Sequence, residues 1–175
     1  MAFQIQNFPV WFQVLIMFLL ADFIQWSIHI QLHKQLWLWK FHKVHHSIKE
    51  MGFSAQFRFH FMDAIIYKEG LCSPSALIRF GIQEFFIVHM FGVFVGHLNR
   101  AKVGWDYGPL RYVFNNPKMP IWHHSKVSPQ DHPHGMNFGL SFSVCDYILG
   151  TAHVPKREKI MSSVLKTTKN ILKIF

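Results

Sequence analysis

Acidic side chains are scarce in this chain: 9 Asp and Glu stand against 18 Lys and Arg, and only 15% of the residues are charged. No paired carboxylates stand out for general acid–base work, and no Ser-His-Asp order or GxSxG elbow offers a nucleophile. No GxGxxG or P-loop supplies a nucleotide site. The two cysteines, Cys72 and Cys145, make no CxxC pair, disulfide framework or iron–sulfur ligand set, which agrees with a reducing compartment. The basic excess gives a net charge of +9, yet Lys and Arg are scattered rather than gathered into a stripe or known motif. That pattern argues against nucleic acid and suits contact with anionic lipid headgroups.

Charge is missing altogether from Met1 to Ala21, and Val10 to Ala21 is almost wholly apolar. Continued to about Ile30, the stretch is long enough to cross a bilayer, which takes roughly 20 residues. It has no basic n-region and no small-residue cleavage site, so it reads as a span rather than a secretory signal. Half of the residues are hydrophobic, with 19 Phe and 6 Trp, a profile too apolar for a typical soluble domain. Every Lys and Arg lies at Lys34 or later, which predicts an external N-terminus and a cytoplasmic remainder. A second apolar region, Leu71 to Leu98, is interrupted by Arg79 and Glu84. It either spans at a tilt or forms a re-entrant hairpin with the segment before it.

What the chain has in abundance is histidine, 13 in 175 residues. Three clusters stand out: His29 with His33; His42 with His45 and His46; and the pair His123-His124. Residues three and four apart share a helix face, so each of the first two clusters aims its imidazoles at one point. Neutral imidazole suits iron, zinc, copper and nickel, and this many nitrogen ligands exceeds what one ion uses. The spacing predicts a polynuclear, nitrogen-rich metal site. His89, alone on an apolar helix, reads instead as a packing residue. A bis-histidine haem is the rival reading, but it needs only two opposed histidines and leaves the HxxHH spacing unexplained.

Along the chain, Asp22 to Ile48 reads as one nearly continuous helix with a bend near Trp37-Leu38-Trp39, ended by Gly52. Arg58 to Tyr67 reads as a short helix or interfacial segment, and Ser73-Pro74-Ser75 as the opening of the next helix. Gly104 to Pro109 reads as a loop, Asn115 to Pro120 as a turn, and Ser128 to Gly135 as a loop before the apolar run Phe138 to Leu149. One domain covers residues 1–153. Residues 154–175 form a tail whose lysines alternate with Ile160, Val164, Ile171 and Phe175. That tail is either a basic amphipathic helix on the membrane surface or an ordinary packed terminal helix.

Taken in order, Asp22-Phe23 leading to HIQLH (His29 to His33), then LWKFHKVHHS (Leu38 to Ser47), GHLN (Gly96 to Asn99), WHHSK (Trp122 to Lys126), NFG (Asn137 to Gly139) and DYILGT (Asp146 to Thr151) resemble the fatty acid hydroxylase and sterol desaturase superfamily. The resemblance covers roughly residues 20 to 153. It implies an all-α, integral membrane helical bundle with a cytoplasmic, histidine-ligated dimetal site, normally two irons, with zinc possible in purified protein. It implies metal roles for His29, His33, His42, His45, His46, His97, His123 and His124. His60 stands where some members carry a histidine, and Asp22 is placed to orient a ligating imidazole through its second ring nitrogen. The implied activity is hydroxylation or desaturation of a lipid such as a fatty acyl chain or sterol, using O2. Electrons would come from cytochrome b5, a ferredoxin or a reductase.

Two departures bear on that expectation. The superfamily's third box is normally HxxHH, and here the stretch is Pro120-Ile121-Trp122-His123-His124, with proline at the first ligand position. His132 or His134, on a nearby loop, is a candidate substitute ligand; the alternative is a catalytically impaired or truncated homologue with a structural role in metal or lipid binding. Cys145 stands where tryptophan is common, a packing change. The chain also reads as short before the first box, where one or two further spans are usual, as a compact member, a fragment or a degenerate copy would.

Overall fold

The computed structural model describes residues 5–48, 52–101, 103–125 and 129–154. It is helical, and no strand occurs among the described residues; a single bridge joins Phe114 to Phe142. Helix α1, Val10–Lys34, follows Pro9, whose φ of −56° fits the entry to a first turn. At 25 residues it is about 37 Å long, taking 1.5 Å per residue. Among the described residues it is the one helix long and apolar enough to cross a membrane, with a mean hydropathy of 1.6. Its outward residues Trp11, Leu15, Leu19 and Phe23 are exposed, as they would be against lipid.

The chain bends at Gln35 (φ −89°, ψ 117°), two residues before the expected tryptophan belt. Helix α2, Leu36–His46, then runs only to Ser47, whose hydroxyl donates to Val44 O at 2.7 Å. Gly52 is therefore not its terminator. Helix α3, Phe61–Leu77, is longer than the sequence suggests because Pro74 lies inside it rather than opening a new helix. The ring removes one backbone donor near the C-terminal end, while Ser75 Oγ donates to Leu71 O at 2.7 Å, so the last turn survives. The break falls instead at residues 78–81, where Arg79 adopts a left-handed φ of 60°. Helix α4, Ile82–Arg100, follows. The second apolar region is thus split between two helices.

Helices α3 and α4 each pack along α1. Between the three lies a cavity of about 640 Å³. Met17, Ala21 and Val88 close the core at one level of the bundle, and Trp26, Ile30 and Phe138 at another. Cys145 packs beside the second group, as expected of a packing change.

The expected turn at 115–120 contains the start of helix α5, Lys118–His123. Asn116 Oδ1 accepts from Lys118 N at 3.0 Å and so starts the helix. Pro120 sits within its first turn, where backbone N–H groups have no helical partner, so proline costs the helix nothing. Of the run Phe138 to Leu149, only Val144–Ile148 is helical, as α6. The residues before it form a loop held down by polar side chains. The predicted tail helix lies outside the described residues.

Candidate metal centre

The first two histidine clusters each occupy one helix face, as spacings of three and four require, while His123 and His124 are adjacent at the end of a short helix. His29 and His33 project from the last turns of α1, the second cluster from the C-terminal half of α2, and His123 and His124 from the end of α5. The bend at Gln35 folds α2 back so that the faces meet. Ring centroids are 4.5 Å apart for His29 and His123, 4.7 Å for His33 and His46, and 5.0 Å for His33 and His42. One ligand atom from each of His29, His33, His42, His46 and His123 lies within 4.8 Å of all the others. His45 and His124 adjoin this group, 4.6 Å from each other, with His124 4.5 Å from His46.

The rings are oriented mainly by backbone carbonyls. His29 Nδ1 pairs with Phe138 O at 2.9 Å, His123 Nδ1 with Met136 O at 2.7 Å, and His45 Nδ1 with Arg58 O at 2.9 Å. A ring N–H committed to a carbonyl leaves Nε2 as the lone-pair nitrogen. The Nε2 atoms of His29, His33, His42, His46, His123 and His124 are buried and have no hydrogen-bond partner. Burying so many unsatisfied acceptors together is costly unless something binds them. Burial first, then neighbouring charge, lowers the pKa of His45 to about 4 and of His124 to about 2, and His46 and His123 are also pushed well down. These imidazoles are neutral at ordinary pH, the form a metal requires. The donor set, all nitrogen and converging, fits divalent transition metals.

Asp22 does not orient an imidazole. Its carboxylate accepts from Ser141 N at 2.8 Å and Phe142 N at 3.3 Å. Asp146 accepts from Trp26 Nε1 (3.0 Å), Phe138 N (2.9 Å), Gly139 N (2.8 Å) and Thr151 Oγ1 (2.6 Å). The two carboxylates thus anchor the loop that presents Phe138 O to His29. The carboxylate beside a cluster histidine is Asp63, 2% exposed, whose Oδ2 lies 3.6 Å from His42 Nδ1. Sequence reasoning passed over it, although an acid in the first turn of the largely apolar helix α3 was a usable signal.

His97 is set apart from the ring cluster. It lines the same cavity, but its ring packs on Phe57 at 5.2 Å and its Nδ1 pairs with Val93 O one turn back. His60 caps α3, accepting from Met62 N at 3.2 Å, and packs between Phe41 and Phe61. His132 meets Asp131 and His153 rather than the cluster. His134 meets His33 through its backbone. His89 stacks on Phe85 at 6.1 Å in the cavity wall. Pro120 is buried and lines the cavity beside His123 and His124, so no imidazole projects from that position.

The cavity connects the centre to the apolar bundle. Phe18, Ile24, Ile28, Leu71, Phe85 and Val88 line its body, and His29, His42, His45, His123 and His124 its other wall.

Comparison with known proteins agrees with this arrangement. A curated ornithine lipid hydroxylase, OlsE of Rhizobium tropici, is 33% identical over 152 residues, covering 86% of this chain. The match covers 45% of the relative, so the chain spans just under half that protein's length. No solved structure matches. The family model described as Fatty acid hydroxylase matches residues 14–151, which takes in every histidine of the cluster and both anchoring carboxylates, and the chain belongs to that family.

Proposed function

We propose that the protein is a membrane-bound di-iron oxygenase that hydroxylates a lipid. The observation that carries this reading is the set of buried, partnerless Nε2 atoms converging at the wall of an apolar cavity. His29, His33, His42, His46 and His123 would hold the metals, with His45 and His124 beside them and His97, on the cavity wall, as a further candidate ligand. When bound, two irons supply the redox capacity to cleave O2, which zinc lacks.

The chain's own residues do the rest. The Phe138, Met136 and Arg58 carbonyls hold three imidazoles in the tautomer that leaves Nε2 free to ligate. The aromatic and aliphatic walls seat an apolar chain and keep water from it. The balance R–H + O2 + 2 electrons + 2 protons giving R–OH + H2O requires an external donor, such as cytochrome b5, a ferredoxin or a reductase. Exposed Lys43, one turn from His46 on the same helix, belongs to a basic side suited to an acidic carrier. The relative's name, ornithine lipid hydroxylase, supports a polar membrane lipid as the substrate class. The distribution of Lys and Arg supports a cytoplasmic centre. Desaturation shares the initial hydrogen abstraction and remains within the same reading.

A second reading rests on Pro120: with no imidazole at that position, the chain is a catalytically impaired homologue that binds metal or lipid structurally. Expression in iron-replete cells followed by lipid mass spectrometry separates the two. A lipid species heavier by one oxygen, absent with His29→Ala or His123→Ala, supports the oxygenase. Unchanged lipids with full metal content support the impaired homologue.

A further inference from the structure

Arg100 ends α4 with its guanidinium inside the protein, on the wall of the cavity. Nη1 donates to Gly96 O at 3.2 Å, while Nε is buried and has no hydrogen-bond partner. No carboxylate pairs with Arg100 among the described residues, and Asp63 is directed to His42 instead. Its charge is felt at His45 and His124, so it stands on the histidine side of the cavity. His45 and His124, which feel that charge, are neutral at ordinary pH, and divalent metals there would add further positive charge. A buried cation facing a cationic centre is stable only if an anion joins it.

A neighbouring side chain adds an unsatisfied acceptor. Gly96 lies one turn before Arg100, and a side chain there would come within 2.9 Å of Gln56 Nε2. Gln56 therefore packs directly on α4, with its Oε1 buried and without a partner. This end of the cavity offers a charged donor and a neutral acceptor, and exposed Lys68 on α3 is a second cation in the lining.

Resting on the reading of the cavity as a lipid site, we infer that Arg100 binds an anionic oxygen of the substrate's headgroup, a carboxylate or a phosphate, with Gln56 accepting from a neighbouring donor. Arg100 is then the residue that selects lipids bearing an oxyanion over neutral lipids of the same chain. Its planar fork suits either anion in a bidentate pair, which lysine cannot reproduce.

The test is equilibrium binding of three probes to the metal-loaded full chain in mild detergent at pH 8.5: oleate, 1-oleoyl lysophosphatidate and oleyl alcohol. The wild type should bind at least one anionic probe about tenfold tighter than the alcohol. Arg100→Gln should lose that preference while keeping its affinity for the alcohol, and Arg100→Lys should keep part of it. Preference for oleate identifies a carboxylate headgroup, and preference for lysophosphatidate a phosphate. Metal content and far-UV circular dichroism check the fold. If Arg100→Gln does not fold, Arg100→Lys decides, because undiminished preference there contradicts the fork. Equal binding of all three probes by the wild type, or a preference that survives Arg100→Gln, overturns the inference while leaving the lipid site standing. Failure of every probe to bind overturns the lipid reading itself.

Discussion

His29 and Asp146 are joined through the backbone of one residue: Phe138 donates its N–H to Asp146 Oδ1 at 2.9 Å, and its carbonyl meets His29 Nδ1 at 2.9 Å. A carboxylate with no hydrogen bond to an imidazole therefore positions the carbonyl that fixes the tautomer of a cluster histidine. Asp146→Asn keeps the shape but replaces half of the acceptor capacity with a donor. Hydrogen bonds to a charged group are worth about 1.5–3 kcal/mol each, and losing part of this set should cost roughly that much. Thermal unfolding should show the loss, and metal content should fall with it, whereas a purely structural role would leave metal content intact.

Gly139 tests the same loop sterically. A Cβ there would stand 2.2 Å from Phe142 O and 2.9 Å from Asp146 Oδ2, so the backbone must shift. Gly139→Ala should destabilise by about 1–3 kcal/mol and lower metal retention on dialysis. Gly104→Ala, where a Cβ meets nothing within 4 Å, is the control.

The lowered histidine pKa values set a pH dependence for the metal-free protein. His45, about 4 when folded, returns towards 6.5 when unfolded. The unfolded state then binds more protons between those values, so stability is full above about 6.5 and falls as pH drops towards 4. His124, at about 2, extends the loss to lower pH. Denaturant unfolding of metal-free protein should show a midpoint nearly level above about pH 7 and falling as pH drops from 6.5 towards 4. A flat profile would mean that these rings are not buried as described.

Pro120→His should be tolerated, because the residue lies in the first turn of α5 and its side chain already faces the cavity. If the missing imidazole limits the centre, metal per chain or hydroxylated product should rise. If neither changes, the existing histidines already satisfy the centre.

The cluster was legible in the sequence because its information is local: spacings of three and four fix which rings share a helix face. The first long apolar helix was legible for the same reason. What the sequence hid was the assembly. The bend fell at Gln35, an unremarkable residue, and Pro74 was absorbed near a helix end, where the cost of a missing donor is small. The sequence suggests an imidazole as the partner of Asp22, yet it caps a loop more than a hundred residues away, a pairing that no local pattern encodes. Asp63 and Arg100 became visible only when the cavity between α1, α3 and α4 placed them beside the rings.

The central claim is that the converging histidines bind two metal ions. Elemental analysis of iron and zinc on protein from iron-replete cells, purified in mild detergent, tests it directly. About two metals per chain are expected, iron predominating, with a sharp fall in both His29→Ala and His123→Ala. One metal or none in the wild type, or a content indifferent to those substitutions, would contradict it.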